Sequence, residues 1–197
     1  MRNFLSEYKK NLINGFDAIN PHVLEEIAQL IDQSIKSKKI IYTCGNGGSS
    51  SISDHFVCDF LKGVATNTNI QPIIHSLTSN TPTLTAIAND IKYDDIFSFQ
   101  IERYGASEDL LLCVSSSGNS KNIINAIKKA KEKNIITISF VGFDGGEAKK
   151  LSDYNIHIPV YNYGVVEDIH HCLLHILSQY IRSDNLNSDA NKREIIF

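Results

Sequence analysis

The sequence predicts an α/β fold, a three-layer doubly wound sandwich around a central five-stranded parallel sheet. Three observations lead there. Five short apolar runs alternate with helix-like stretches along 197 residues, the pattern of strands joined by covering helices. The runs are continuously apolar, as suits strands buried on both faces. Clusters of Gly, Asn and Ser follow two of the runs directly, at the edge where such sheets bind ligands.

Each element has its own signal. Phe4, Leu5, Tyr8, Leu12 and Phe16 recur at helical spacing and predict an amphipathic helix over residues 2–16. Asn20-Pro21 starts the next helix, with Asn as cap and Pro at the first helical position. Val23, Leu24, Ile27, Leu30, Ile31 and Ile35 share one side of it. "KIIYTC" (39–44) is the first strand, and residues 48–63 read as one helix. "QPIIHSL" (71–77) is the second strand, followed by helices over 81–89 and 94–104. "DLLLCVS" (109–115) is the third, followed by a helix over 119–133. "IITISFVG" (135–142) is the fourth, followed by a short helix over 145–153. "YNIHIPV" (154–160) is the fifth, and the last helix runs from Val165 to Ile181. One domain therefore spans residues 1–183, and 184–197 form a polar tail.

Composition narrows the function classes. With 42% hydrophobic and 21% charged residues the chain reads as soluble and globular. A net charge of −3 argues against a broad nucleic-acid surface. No apolar run approaches the roughly 20 residues of a membrane span, and the N-terminus lacks a signal core. Four cysteines form no CxxC pair; Cys44 and Cys113 end apolar runs and read as buried free thiols. The expectation is a cytoplasmic protein with neither nucleic acid nor membrane as partner.

The two polar clusters carry the ligand chemistry. "GNGGSSS" (45–51) and "SSSGNS" (115–120) each join a strand end to a helix start. Free backbone N–H groups and the helix dipole favour an anion there. The second cluster offers Ser115, Ser116, Ser117 and Ser120 around Gly118, which suits a phosphate monoester. Neither a P-loop Lys-Ser/Thr nor a GxGxxG is present. The first cluster can hold a sugar hydroxyl through Asn46 and Ser49. An ordinary turn-and-cap role explains one such loop; two at equivalent positions favour a ligand.

Titratable groups recur at helical spacing. His55 and Asp59 lie four apart, as do Glu167, His171 and His175. Together they can build a tetrahedral zinc site, or act without metal as acid–base groups on a carbohydrate. His175 sits in "CLLHIL" among apolar neighbours, so burial and a partner are expected for it. Glu167 with His175 is the preferred pair, with His171 as a supporting group. His170 points about 100° away from His171 and cannot face the same site.

"CGNGGSSSISDHFVCDFLKG", "AIANDIKYDDIFS", "SSSGNSKNIINAIKKAKEKN" and "VEDIHHCLLHIL" resemble the sugar-isomerase (SIS) domain family, and within it the phosphoheptose isomerases. The resemblance implies the flavodoxin-like SIS fold and a homotetramer with active sites between subunits. It implies an intramolecular oxidoreductase, an aldose–ketose isomerase turning sedoheptulose 7-phosphate into D-glycero-D-manno-heptose 7-phosphate, for lipopolysaccharide or capsule. Carried over, Ser115, Ser116, Ser117 and Ser120 bind the phosphate, while Asn46, Ser49, Asn89, Asp90 and Glu167 face the substrate. One zinc per subunit falls to His55, Asp59, Glu167 and His175, with Asp59 and His175 as the catalytic acid–base pair. The chain departs from the family at Asp59 (usually Glu), Glu167 (usually Gln), Ile52 and Gly164 (both usually Asp). Ile52 is expected to show any change in substrate preference first. The alternative is a non-catalytic SIS tetramer, either an adaptor for a replication initiator or a sugar-phosphate sensor.

Overall fold

Side chains along a strand point to opposite faces, and here each face meets its own apolar layer. Leu110, Leu112 and Val114 pack into one core with Ile41, Ile138, Phe140, Ile156 and Ile158. Leu111 and Cys113 pack into the other with Tyr42, Cys44 and Val141. The computed structural model describes residues 1–187.

The elements are α1 (Arg2–Asp17), α2 (Pro21–Lys36), β1 (Ile40–Gly45) and α3 (Gly48–Cys58). Then come β2 (Ile73–Ser76), α4 (Thr81–Asp90), α5 (Ser98–Tyr104), β3 (Leu110–Ser115) and α6 (Lys121–Glu132). The chain continues with β4 (Ile136–Gly142), α7 (Gly146–Leu151), β5 (Tyr154–Ile158) and α8 (Tyr163–Asp184). All strand pairs are parallel, in the order β2-β1-β3-β4-β5. Helices α2, α3 and α8 cover one face and α4, α5, α6 and α7 the other. The three-layer, five-stranded sandwich is therefore present, with the flavodoxin-like strand order.

Three predicted boundaries change. The helix expected over 48–63 stops being α-helical at Cys58 and continues as a π-helical turn, Asp59–Val64. The helix expected over 94–104 splits into a 3₁₀ turn, Tyr93–Asp95, and α5. α8 runs on to Asp184, and Leu186 forms a bridge with Thr68, so the expected tail at 184–197 begins as ordered chain. Its remainder, 188–197, lies outside the described residues.

α8 is held by an apolar stripe of Val165, Val166, Ile169, Leu173, Leu174, Leu177 and Ile181, all buried. Full burial of each large side chain contributes roughly 1.5–3 kcal/mol, so the helix that displays Glu167, His171 and His175 is firmly seated. Among the described residues no helix is long and apolar enough to cross a membrane. Cys44 and Cys113 are buried free thiols, as expected, while Cys58 is exposed.

Candidate active site

β1 and β3 are neighbours, yet the chain leaves β1 toward β2 on one side and β3 toward β4 on the other. A crevice opens at such a reversal, beyond the carboxyl ends of the strands. Both polar clusters lie there.

The serine loop is shaped as an anion cradle. Gly118 adopts φ +62°, and a Cβ on it would lie 2.0 Å from the Gly145 carbonyl oxygen. Only glycine fits, and the loop after β4 locks against it. The Ser115 hydroxyl accepts from the Gly118 N–H at 3.2 Å, and that of Ser117 from the Asn119 N–H at 3.2 Å. The Ser116 hydroxyl is buried without a partner. Ser120 caps α6 by position, but its hydroxyl makes no cap hydrogen bond. The Ser120 hydroxyl and the start of a 12-residue helix thus remain available to an anion.

The first loop is tied to the second through side chains. The amides of Asn46 and Asn122 bond reciprocally, at 2.9 and 2.8 Å. The Tyr93 hydroxyl donates to Asn46 Oδ1 at 3.0 Å. Asn46 therefore braces the crevice as well as lining it. The sequence reading missed Asn122 and Tyr93; an Asn two residues past a phosphate loop was the only signal. Ser49 is buried in the first turn of α3, its N–H bonded to the Asn46 carbonyl at 3.0 Å. Asn89 and Asp90 are exposed at the end of α4 and bonded to each other at 2.8 Å.

Lower on the α3–α8 face the structure gathers the histidines. His55 Nε2 lies 3.1 Å from Asp59 Oδ1 and 3.1 Å from His175 Nε2. His175 Nε2 stands 3.5 Å from Asp59 Oδ2. One ligand atom each from His55, His171 and His175 lie within 4.8 Å of one another. Burial first, and then the neighbouring His55 and His175, hold the His171 imidazole below the ordinary histidine range. The shift favours the neutral form, the one that binds a metal.

Other expectations need revision. His175 is not buried: its side chain is 41% exposed. The fully buried histidine is His170, against Phe140. Ile52 is 5% exposed within the apolar core, where its side chain is a packing element. A side chain at Gly164 would meet the Tyr8 hydroxyl at 3.1 Å. That hydroxyl instead donates to Asp168 Oδ2 at 2.7 Å, one turn along α8. Glu167 stands apart from the histidines: its carboxylate lies where a Cβ on Gly48 would fall, 2.4 Å from Oε2. Burial, then the charge of Asp168, raises its carboxyl above the usual range.

The comparisons fit this geometry. The SIS domain family matches residues 6–142. Phosphoheptose isomerase from Clostridium acetobutylicum is 36% identical over 189 residues, covering 93% of this chain and 96% of that protein. The chain belongs to the phosphoheptose isomerase branch of the SIS domain family. Phosphoheptose isomerase from Helicobacter pylori strain P12 is 34% identical over 174 residues, 88% of this chain and 90% of that protein. The solved structure of phosphoheptose isomerase from Neisseria gonorrhoeae superposes with a TM-score of 0.83 at 28% identity, covering 91% of this chain and 98% of that one. The SIS match ends with β4, before α8. The full-length phosphoheptose isomerases are what extend the kinship to the helix that carries His171 and His175.

The donor set also fits a divalent metal of the kind phosphoheptose isomerases are expected to hold. Asp59 Oδ2 and His171 Nε2 are buried polar atoms without hydrogen-bond partners, and unpartnered buried groups are costly. Imidazole nitrogen plus carboxylate oxygen is the chemistry zinc accepts.

Proposed function

We propose that this isomerase interconverts sedoheptulose 7-phosphate and D-glycero-D-manno-heptose 7-phosphate. The supporting observation is the contact of Asp59 with both His55 and His175 on a fold whose serine loop suits a phosphate monoester. The phosphate sits on Ser115, Ser116, Ser117 and Ser120 at the start of α6, and Asn46 and Glu167 flank the sugar chain. Without a metal on them, Asp59 and His175 work as an acid–base pair. One takes the proton from C1 of the ketose, next to the C2 carbonyl, giving an enediol. Return of a proton to C2 completes the aldose, while the C2 carbonyl oxygen gains a proton and the C1 hydroxyl loses one. Zinc, when bound, supplies polarisation of the carbonyl oxygen.

The same reading makes the protein a cytoplasmic homotetramer that supplies heptose to a surface glycan. An adaptor without catalysis would have no use for three clustered imidazoles and a buried carboxylate. The test is to incubate pure protein with sedoheptulose 7-phosphate, with and without added zinc, and look for the aldose. Turnover is expected, falling about 10²–10⁴-fold in Asp59→Asn and His175→Ala, the usual worth of an acid–base group. Absence of product under both conditions overturns the assignment.

A further inference from the structure

We propose that His171, not Glu167, is the second metal donor from α8, completing a set of His55, His171 and His175 with Asp59. The proposal rests on the metal-binding part of the function above. Glu167, His171 and His175 follow one another every four residues on α8, each about 6 Å further along the helix. With His55, Asp59 and His175 at the metal, the further donor from α8 is either His171, one step from His175, or Glu167, two steps away.

Distances decide it. The ring centroids of His55, His171 and His175 lie 4.5, 4.7 and 5.1 Å apart in pairs. Their ligand atoms fall within 4.8 Å, against the about 3.3 Å that two nitrogens on one tetrahedral zinc require. His55 and His175 are already at 3.1 Å, so a small swing of His171 closes the set. His171 Nε2 is buried and unpartnered, as a ligand awaiting its ion would be. Glu167 instead has its carboxylate at Gly48. Gly48 precedes His55 by seven residues on the same helix, about 10 Å of rise. The bare backbone of Gly48 is what admits the carboxylate there.

The change of donor matters for charge. A divalent ion with one carboxylate keeps a net charge of +1; with two it keeps none. Three imidazoles and Asp59 therefore leave the ion net positive, and Glu167 is left near the substrate loops.

The test uses the full-length protein, stripped with a chelator and titrated with cobalt(II), followed by zinc competition. Wild type should bind one ion per chain with the visible bands of a four-coordinate cobalt site. His171→Asn and His171→Ala should weaken binding by more than the roughly 10–100-fold that a merely supporting residue costs, and should alter the bands. Glu167→Ala, which removes every donor atom at that position, should leave metal affinity and bands within about twofold. Circular dichroism of the stripped variants checks the fold; should both His171 variants be misfolded, the Glu167→Ala titration decides alone. Loss of binding in Glu167→Ala, unchanged binding in a folded His171 variant, or no binding by wild type each overturns the proposal. Sugar-phosphate turnover is measured separately, so failure here leaves the isomerase assignment to its own assay.

Discussion

His170 is fully buried against Phe140, and neither of its ring nitrogens has a hydrogen-bond partner. Burial pushes its pKa down to about 3, offset only in part by the Val141 backbone. The unfolded chain binds a proton here near pH 6.5, and the folded chain does so only near pH 3. Stability is thus fully present above pH 6.5 and declines as pH falls through that window, by up to about 1.4 kcal/mol per unit. Urea unfolding of wild type and His170→Gln at pH 7.5 and 5.5 checks this. Relative to the variant, wild type should lose about 1 kcal/mol between the two values; equal losses would refute the role. The same helix shows what single residues reveal in a sequence. The apolar neighbours of His175 suggested burial, but on a helix the residues three and four away decide the face. His171 and His175 follow Glu167 at four-residue steps and leave the core, while His170, one step off, enters it. The four-residue spacing was legible; which rungs of the ladder meet His55 depended on how α8 lies against α3.

The α3 helix changes character at the residue that matters most. From Asp59 the backbone widens into a π turn, with the Ala65 N–H bonding back five residues to the Phe60 carbonyl at 3.1 Å. Such turns are rare and frequent at functional sites. Here the carbonyls around its end are served by side chains. Buried Arg182 of α8 donates Nε to the Gly63 carbonyl at 3.1 Å and Nη2 to that of Thr66 at 3.5 Å. The Thr66 hydroxyl donates to Lys62 O, and the Thr68 hydroxyl to Val64 O at 2.7 Å. Arg182→Ala should therefore destabilise the protein by about 2 kcal/mol, the order expected for hydrogen bonds from a charged donor. Arg182→Lys, which keeps one donor, should cost less. Urea titration reads both, and a loss under about 0.5 kcal/mol in the alanine variant would remove Arg182 as the brace. A sequence read for a 3.6-residue period cannot show this turn, because Phe60 and Val64 remain buried on either geometry. The existence and order of the helices and strands were legible from apolar runs and caps; the local widening at Asp59 was not.

At the scale of the molecule, alternation of strands and helices dictated a parallel sheet, but the strand order came from how the two layers close. α2, α3 and α8 must share one face to bury their stripes together, and that places β2 outside β1 and opens the switch point between β1 and β3. Apolar side chains remain exposed on two of the helices among the described residues. Phe4, Leu5 and Ile13 of α1 are 66, 50 and 60% exposed, and Ile176 and Tyr180 of α8 are 44 and 42% exposed. A groove of about 350 Å³ between α2 and α8 is lined by Pro21, Leu24, Ala28 and Leu177. Leu5 and Ile13 are eight residues apart, so they share a side of α1. A face of this kind on a folded chain favours association with further copies. Light scattering after size exclusion should give about 88 kDa, four times the 22.0 kDa chain. The double variant Leu5→Asp, Ile13→Asp should shift the mass downward while circular dichroism stays unchanged. If active sites form between subunits, the same variant should lose turnover in step with the loss of assembly, and raising protein concentration should restore both. A wild-type mass of 22 kDa at micromolar concentration would show that the exposed strip serves another purpose.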